Sequence, residues 1–401
     1  MKQRHSYNRS GELVNARMTD WAKGGYEQLL KLMAKQNRCK LNETKVRPLV
    51  VYVETFPSND RGFIDELDSA ITELADFIVI SDRNKDYPLK FSPQFLNHSF
   101  KALITADIVL CDNYVPFLQR QYLNPHAVVI ELWHATGAIK CFGYEDPETV
   151  KRTLAEQARF HRVYDTIDYF VVGSDKMAEI FEESYEVSAN HFLKTGSPRT
   201  DIFFDYKRLT MTTETKKKLG LTDRPLIFYT PTYRKTAVTT FPLDVQKMRE
   251  NFGETHQLVV QLHPHDDDLY RLVEDQLLED DDFLVINHEP TILPQLLTLT
   301  EWLITDYSSV VFEYALANPN GNALFYWYDQ EAYEKKVGIQ PGFDQELPGP
   351  LVHSTNELLL AMTLHTRTDF KDFNAVWNQY NDGHASKRLL TKIKEWLNEI
   401  D

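Results

Sequence analysis

The chain has 401 residues, 42% of them apolar and 26% charged, with a formal net charge of −15. That size leaves room for two hydrophobic cores, and the acidic balance excludes a general nucleic-acid binder, whose surface would be basic. Cys39, Cys111 and Cys141 form no CxxC pair, which excludes a zinc knuckle and a disulfide framework and fits a reduced, cytoplasmic protein. The opening residues hold no apolar core of signal-peptide type, and no run reaches the length of a membrane span.

Residues 1–47 carry eleven Lys and Arg against four acids, a local balance of +7 that leaves −22 for the remainder. Within them, DWAKGGYEQLLKLMAKQNRCK sets Trp21, Leu29, Leu30, Leu32 and Met33 among lysines. A basic amphipathic helix of this kind suits either an anionic membrane surface or packing against the first domain. From residue 48, buried-strand patterns alternate with helical ones. PLVVYVE (48–54), DFIVI (76–80), ADIVLC (106–111), AVVIELW (127–133) and DYFVVGS (168–174) read as strands, followed by FLKTG (192–196). A basic connection, KRLTMTTETKKKLGLTDRP, precedes a second series: LIFYTPT (226–232), HQLVVQLHP (256–264), DFLVIN (282–287), EWLIT (301–305) and NALFYWY (322–328). The alternation implies α/β architecture: two doubly wound, Rossmann-type domains facing across a cleft, with ligands beyond the carboxyl ends of the strands. The expected boundaries are 48–205 for the first domain, 206–370 for the second, and 371–401 for C-terminal helices.

Chemistry-bearing residues collect where these strands end. HATGAIK follows AVVIELW, SPRTD follows FLKTG, and YRK follows LIFYTPT. HPHDDD, HEP and DYSS follow the next three strands. In DYSS the plain reading is a helix cap made by Asp306, Ser308 and Ser309; the sharper one is an anion site on free helix amides. Arg234 brings a planar fork of donors suited to phosphate, and His134 and His263 can exchange protons near neutral pH. Arg199 reads equally well as a partner of Asp201. HPHDDD has metal-binding residue types, but Pro264 breaks helical spacing between its histidines, and the aspartates suit a helix start. No Walker loop, GxGxxG, nucleophile elbow or HExxH occurs.

LWHATGAIK, TGSPRTD, TPTYR, QLHPH and LITDYSSVVFEYAL, followed by FYWYD, LPGP and YNDGHASKR, stand in the order found in the CDP-glycerol glycerophosphotransferase family of teichoic acid synthesis. The chain resembles that family over most of residues 48–395, and departs from it at Ala135, where glycine is usual. The resemblance implies a GT-B-like fold with an acceptor-side first domain, a nucleotide-binding second domain, and a last helix, KRLLTKIKEWLNEI, crossing back. It implies transfer of glycerol phosphate from CDP-glycerol to a lipid-linked saccharide or polyol-phosphate chain, with release of CMP, at the inner face of the membrane. The chain length suits a primase. His134 is then expected as general base, with His263, Arg234, Ser308 and Ser309 around the pyrophosphate. Glu313 is expected on the ribose hydroxyls, Asp306 on the loop, and Lys140, Arg199 and Arg388 as further phosphate ligands. Magnesium stays open as a cofactor. CDP-ribitol as donor, a nucleotide-sugar glycosyltransferase, and a nucleotide-binding scaffold of a membrane assembly are the rival readings. The two histidines count against the scaffold, since a binder needs no proton-transfer group.

Overall fold

A computed structural model describes residues 23–36, 46–56, 61–234, 239–263, 266–279, 281–364 and 368–400. Runs rich in Val, Ile and aromatic residues, apolar on both faces, can only be strands inside a parallel sheet covered by helices. Six of them, β1 (Leu49–Glu54), β2 (Asp76–Ser81), β3 (Ile108–Cys111), β4 (Val128–Glu131), β5 (Tyr169–Val171) and β6 (Phe192–Leu193), pair in the order β2-β1-β3-β4-β5-β6. Six more, β7 (Leu226–Thr230), β8 (Gln257–Val260), β9 (Leu284–Ile286), β10 (Thr300–Thr305), β11 (Asn322–Tyr326) and β12 (Leu351–Val352), pair in the order β12-β11-β10-β7-β8-β9. Every pairing in both sheets is parallel.

Strand order fixes where ligands can sit. The second sheet grows from β7 through β8 to β9, then returns to lay β10 on the other side of β7, so its direction reverses between β7 and β10. The first sheet reverses between β1 and β3. At such a reversal, neighbouring connections leave on opposite faces and open a crevice beyond the strand ends. TPTYR and DYSS flank one crevice; Thr55, Phe56 and Asp112 flank the other. Strand β12, only two residues long, has no counterpart among the sequence expectations.

One hydrophobic cluster passes from Val109, Phe170 and Trp133 in the first domain through Phe312 and Trp377 to Phe228 and Leu303 in the second. The other face of the first sheet, with Tyr52, Leu110 and Ile130, is covered by Leu389, Ile393 and Leu397 of the helix Ala385–Glu399, which crosses back from the second domain. Asp201 caps that helix, accepting from Ala385 N at 3.0 Å and Ser386 N at 2.8 Å. Helix 23–36 buries Leu30 and Ala34 against the first domain while Leu29 and Leu32 stay 40% and 56% exposed. Trp21 lies outside the described residues.

Candidate active site

Beyond β4 the chain turns sharply. Trp133 has φ 64°, a left-handed conformation that costs a bulky residue about 1–3 kcal/mol. Its indole is buried, and the turn presents His134, whose ring stacks on Phe56 from the β1 exit at 4.9 Å between centroids. Asp112 at the β3 exit holds that exit in place, accepting from Thr55 N and Phe56 N at 2.9 Å and Thr55 Oγ1 at 2.7 Å. Burial, with the positive charges of Arg199 and Lys140, lowers the His134 pKa to about 4, so the imidazole is neutral at physiological pH. Ala135 has no positive φ; among the described non-glycine residues only Trp133 and Glu186 do. The methyl group that replaces the family's usual glycine therefore introduces no backbone strain.

The crevice between β7 and β10 is organised around one guanidinium. Arg234 donates through Nη2 to Asp306 Oδ2 at 2.8 Å, through Nε to Asp329 Oδ2 at 2.8 Å, and through Nη1 to the Thr232 carbonyl at 2.7 Å. Tyr333, Tyr307 and Tyr328 surround it with ring centroids at 4.6, 5.3 and 5.5 Å. The open fork expected at Arg234 is instead filled by two carboxylates, because a buried cation has to be paired. Asp306, 1% exposed, also accepts from Thr232 N and Tyr307 N, so it orients the loop. Lys140 reaches this group from the first domain; burial, offset in part by Asp306, lowers its pKa to about 8.

Ser309 occupies the N-cap position of the helix Val310–Ala317, but its side chain makes no capping bond, and Ser308 Oγ accepts from Val310 N only at 3.4 Å. The plain cap reading of DYSS is thus weakly realised, and this helix start keeps its hydroxyls in reserve. Glu313 departs from expectation. It is buried, it pairs with Arg199 Nη2 at 2.8 Å, and its Oε1 accepts from Thr136 Oγ1 at 3.1 Å. Both contacts run through Oε1, which ties that oxygen to the first domain. Arg199, expected on phosphate or on Asp201, donates to Glu313 and to the His134 carbonyl. Arg388, expected on phosphate, spends its donors on the Thr195 and Tyr380 carbonyls and the Asp382 carboxylate, a clamp on the turn before the crossing helix.

His263 stands at the β8 exit, exposed, with its ring 5.1 Å from that of Tyr233. Asp266 of the HPHDDD run accepts from the Arg234 backbone, bracing the β7 exit. Pro264 and His265 lie outside the described residues. Among the described residues no group of three or more His, Cys, Asp or Glu side chains is arranged to hold a metal ion. A cavity of about 450 Å³ opens beyond β8 and β9, lined by Gln261, Tyr270, Arg271, Glu274, Asn287 and His288. Tyr270 and His288 stack there at 4.7 Å.

Direct bonds and charges therefore join His134, Lys140, Arg199, Arg234, Asp306 and Glu313 across the two domains, while Arg388 lies apart from them. Asp112, Asp329 and the tyrosines around Arg234 were not singled out from sequence. Asp112 follows ADIVLC and Asp329 follows NALFYWY, so the strand-exit criterion that picked His134 and Asp306 also reaches both.

Two facing Rossmann-type domains with a cleft lined by strand exits define a GT-B-like fold. The chain belongs to the CDP-Glycerol:Poly(glycerophosphate) glycerophosphotransferase family, whose model matches residues 48–395. It is 30% identical over 375 residues to the teichoic acid glycerol-phosphate primase of Bacillus subtilis (strain 168), covering 88% of this chain and 93% of the relative. The enzyme of the same name from Bacillus spizizenii is 29% identical over 364 residues, covering 87% and 93%. The solved structure of the wall teichoic acid polymerase TagF superposes with a TM-score of 0.70 at 19% identity, covering 96% of this chain and 98% of that one.

Proposed function

We propose that this glycerophosphotransferase moves glycerol phosphate from CDP-glycerol to a hydroxyl of a lipid-linked saccharide or polyol-phosphate acceptor in teichoic acid synthesis. The acceptor oxygen attacks the phosphorus that carries glycerol, the bond from that phosphorus to the bridging oxygen breaks, and CMP leaves with it. Neutral His134 takes the hydroxyl proton. The diphosphate lies at the start of the helix Val310–Ala317, where Ser308, Ser309 and the first amides face developing charge, and His263 and Lys140 add donors from either side. The cavity beyond β8 and β9 receives the cytosine ring, which stacks on the Tyr270–His288 pair.

The observation that carries this reading is the contact of the β4 exit with that helix: Thr136 bonds Glu313, and Gly137 abuts Phe312. It sets a candidate base beside a candidate phosphate site. The acceptor's lipid places the reaction at the inner face of the membrane. Exposed Leu29 and Leu32, beside Lys31 and Lys35, supply an amphipathic surface for it. Among the described residues no helix is long and apolar enough to cross a membrane. Mass spectrometry of products from CDP-glycerol and CDP-ribitol, each with a synthetic lipid-linked disaccharide, tests the proposal. One or a few added glycerol phosphates with stoichiometric CMP support it. Added ribitol phosphate alone moves the donor assignment, and no transfer from either overturns it.

A further inference from the structure

Arg199 and Glu313 sit in different domains, and each is engaged by protein groups across the domain boundary. Arg199, on the turn beyond β6, donates to the backbone carbonyl of His134 and pairs with Glu313 at 2.8 Å. Glu313 lies one turn inside the helix that Ser309 begins, and it accepts from Thr136, two residues after His134. The pair is well shielded, with the two side chains 14% and 6% exposed. Arg199 thus holds the backbone of the candidate base with one arm and the helix of the candidate phosphate site with the other.

We infer that Arg199 and Glu313 are positioning residues, a strut that fixes the distance between the proton-accepting side of the cleft and the diphosphate side. The inference rests on His134 as the base. A misplacement of about 1 Å costs on the order of 100-fold in rate when the geometry of attack is set this way. The strut acts electrically as well. The positive charges of Arg199 and Lys140 disfavour the imidazolium of His134, and a hydrogen bond to the Asp112 backbone favours it. Phe56 covers the ring face and carries no charge. Removing the Arg199 charge therefore raises the pKa of His134.

The test uses the full chain with CDP-glycerol and acceptor, comparing Arg199→Met, Arg199→Lys, Glu313→Gln and the Arg199→Met/Glu313→Gln double variant. Arg199→Met lowers kcat by about 100-fold with KM for CDP-glycerol changed less than about threefold, the signature of lost alignment in place of lost binding. The acidic limb of its pH profile moves to higher pH, and Arg199→Lys, which keeps the charge, returns that limb. The double variant is no slower than the worse single one, because both break one unit. A rise in KM at constant kcat makes Arg199 a substrate ligand and overturns the strut, as do additive losses or unchanged rates. Thermal unfolding of Glu313→Gln, which keeps its shape and an acceptor for Thr136, guards against reading a folding defect as misalignment. The base assignment fails on a different result: an Arg199→Met loss with an unmoved acidic limb leaves the strut and removes His134 as the titrating group.

Discussion

At the scale of single residues, burial sets the chemistry. His134 titrates near pH 4 because leaving water penalises the imidazolium and two cations add to that penalty. A base must be unprotonated to act, so kcat/KM stays level with respect to this group through neutral pH and declines only as pH falls toward about 4. A half-activity point near the ordinary histidine value contradicts this. Glu131, the last residue of β4, is fully buried with neither carboxylate oxygen hydrogen-bonded to protein, and its pKa is raised to about 8 by burial and by Asp112. The folded state then holds a proton that the unfolded chain releases above about 4.5, so stability falls between those two pKa values as pH rises. Glu131→Gln removes that slope: in urea titrations it gains little at pH 5 and a few kcal/mol at pH 8. An unchanged slope refutes the assignment. Arg234→Met leaves Asp306 and Asp329 without their cation and costs about 3–5 kcal/mol of stability, read in the same titrations.

Elements inherit these demands through their ends. The strands were legible from their apolar runs, and the polar residues behind them from position alone, since a parallel sheet puts every strand exit on one edge. What each exit residue does there was less legible. Arg234 has the chemistry of a phosphate fork, but its partner Asp329 lies 95 residues away in sequence and fills that fork. Glu313 sits at helical spacing that permits a solvent-facing side chain, and only the docking of the first domain turns it into an ion-pair partner. Local pattern reports residue type and strand position; it does not report which distant charge arrives first. The β4 exit makes the same point sterically. Gly137 has φ +75°, and a Cβ there meets the Phe312 ring at 2.6 Å. Gly137→Ala is therefore both strained and overpacked against the helix Val310–Ala317. It lowers stability by about 1–3 kcal/mol and slows turnover, as calorimetry and CMP release will show. A variant equal to wild type in both means that the two segments do not touch.

The whole molecule is held by connections that ignore the domain boundary. A continuous apolar cluster, the Arg199–Glu313 pair and the crossing helix Ala385–Glu399 all join the halves. The crossing helix was legible only from its place in the family order; its cap, Asp201, lies 184 residues from Ala385 and was not. Removing that helix uncovers one face of the first sheet, and the truncated chain loses near-ultraviolet circular dichroism and becomes sensitive to protease. Resistance equal to the full chain rules out the helix as part of the first core. The proposed function depends on the same coupling, because the proposed base belongs to one domain and the proposed phosphate site to the other. The most direct test replaces His134 with Ala and follows CMP release from CDP-glycerol in the presence of acceptor, alongside CDP-glycerol affinity by calorimetry. Turnover falling by at least about 1,000-fold with affinity within about threefold is the expected result for a lost base outside the nucleotide site. Near-normal turnover in that variant contradicts the account.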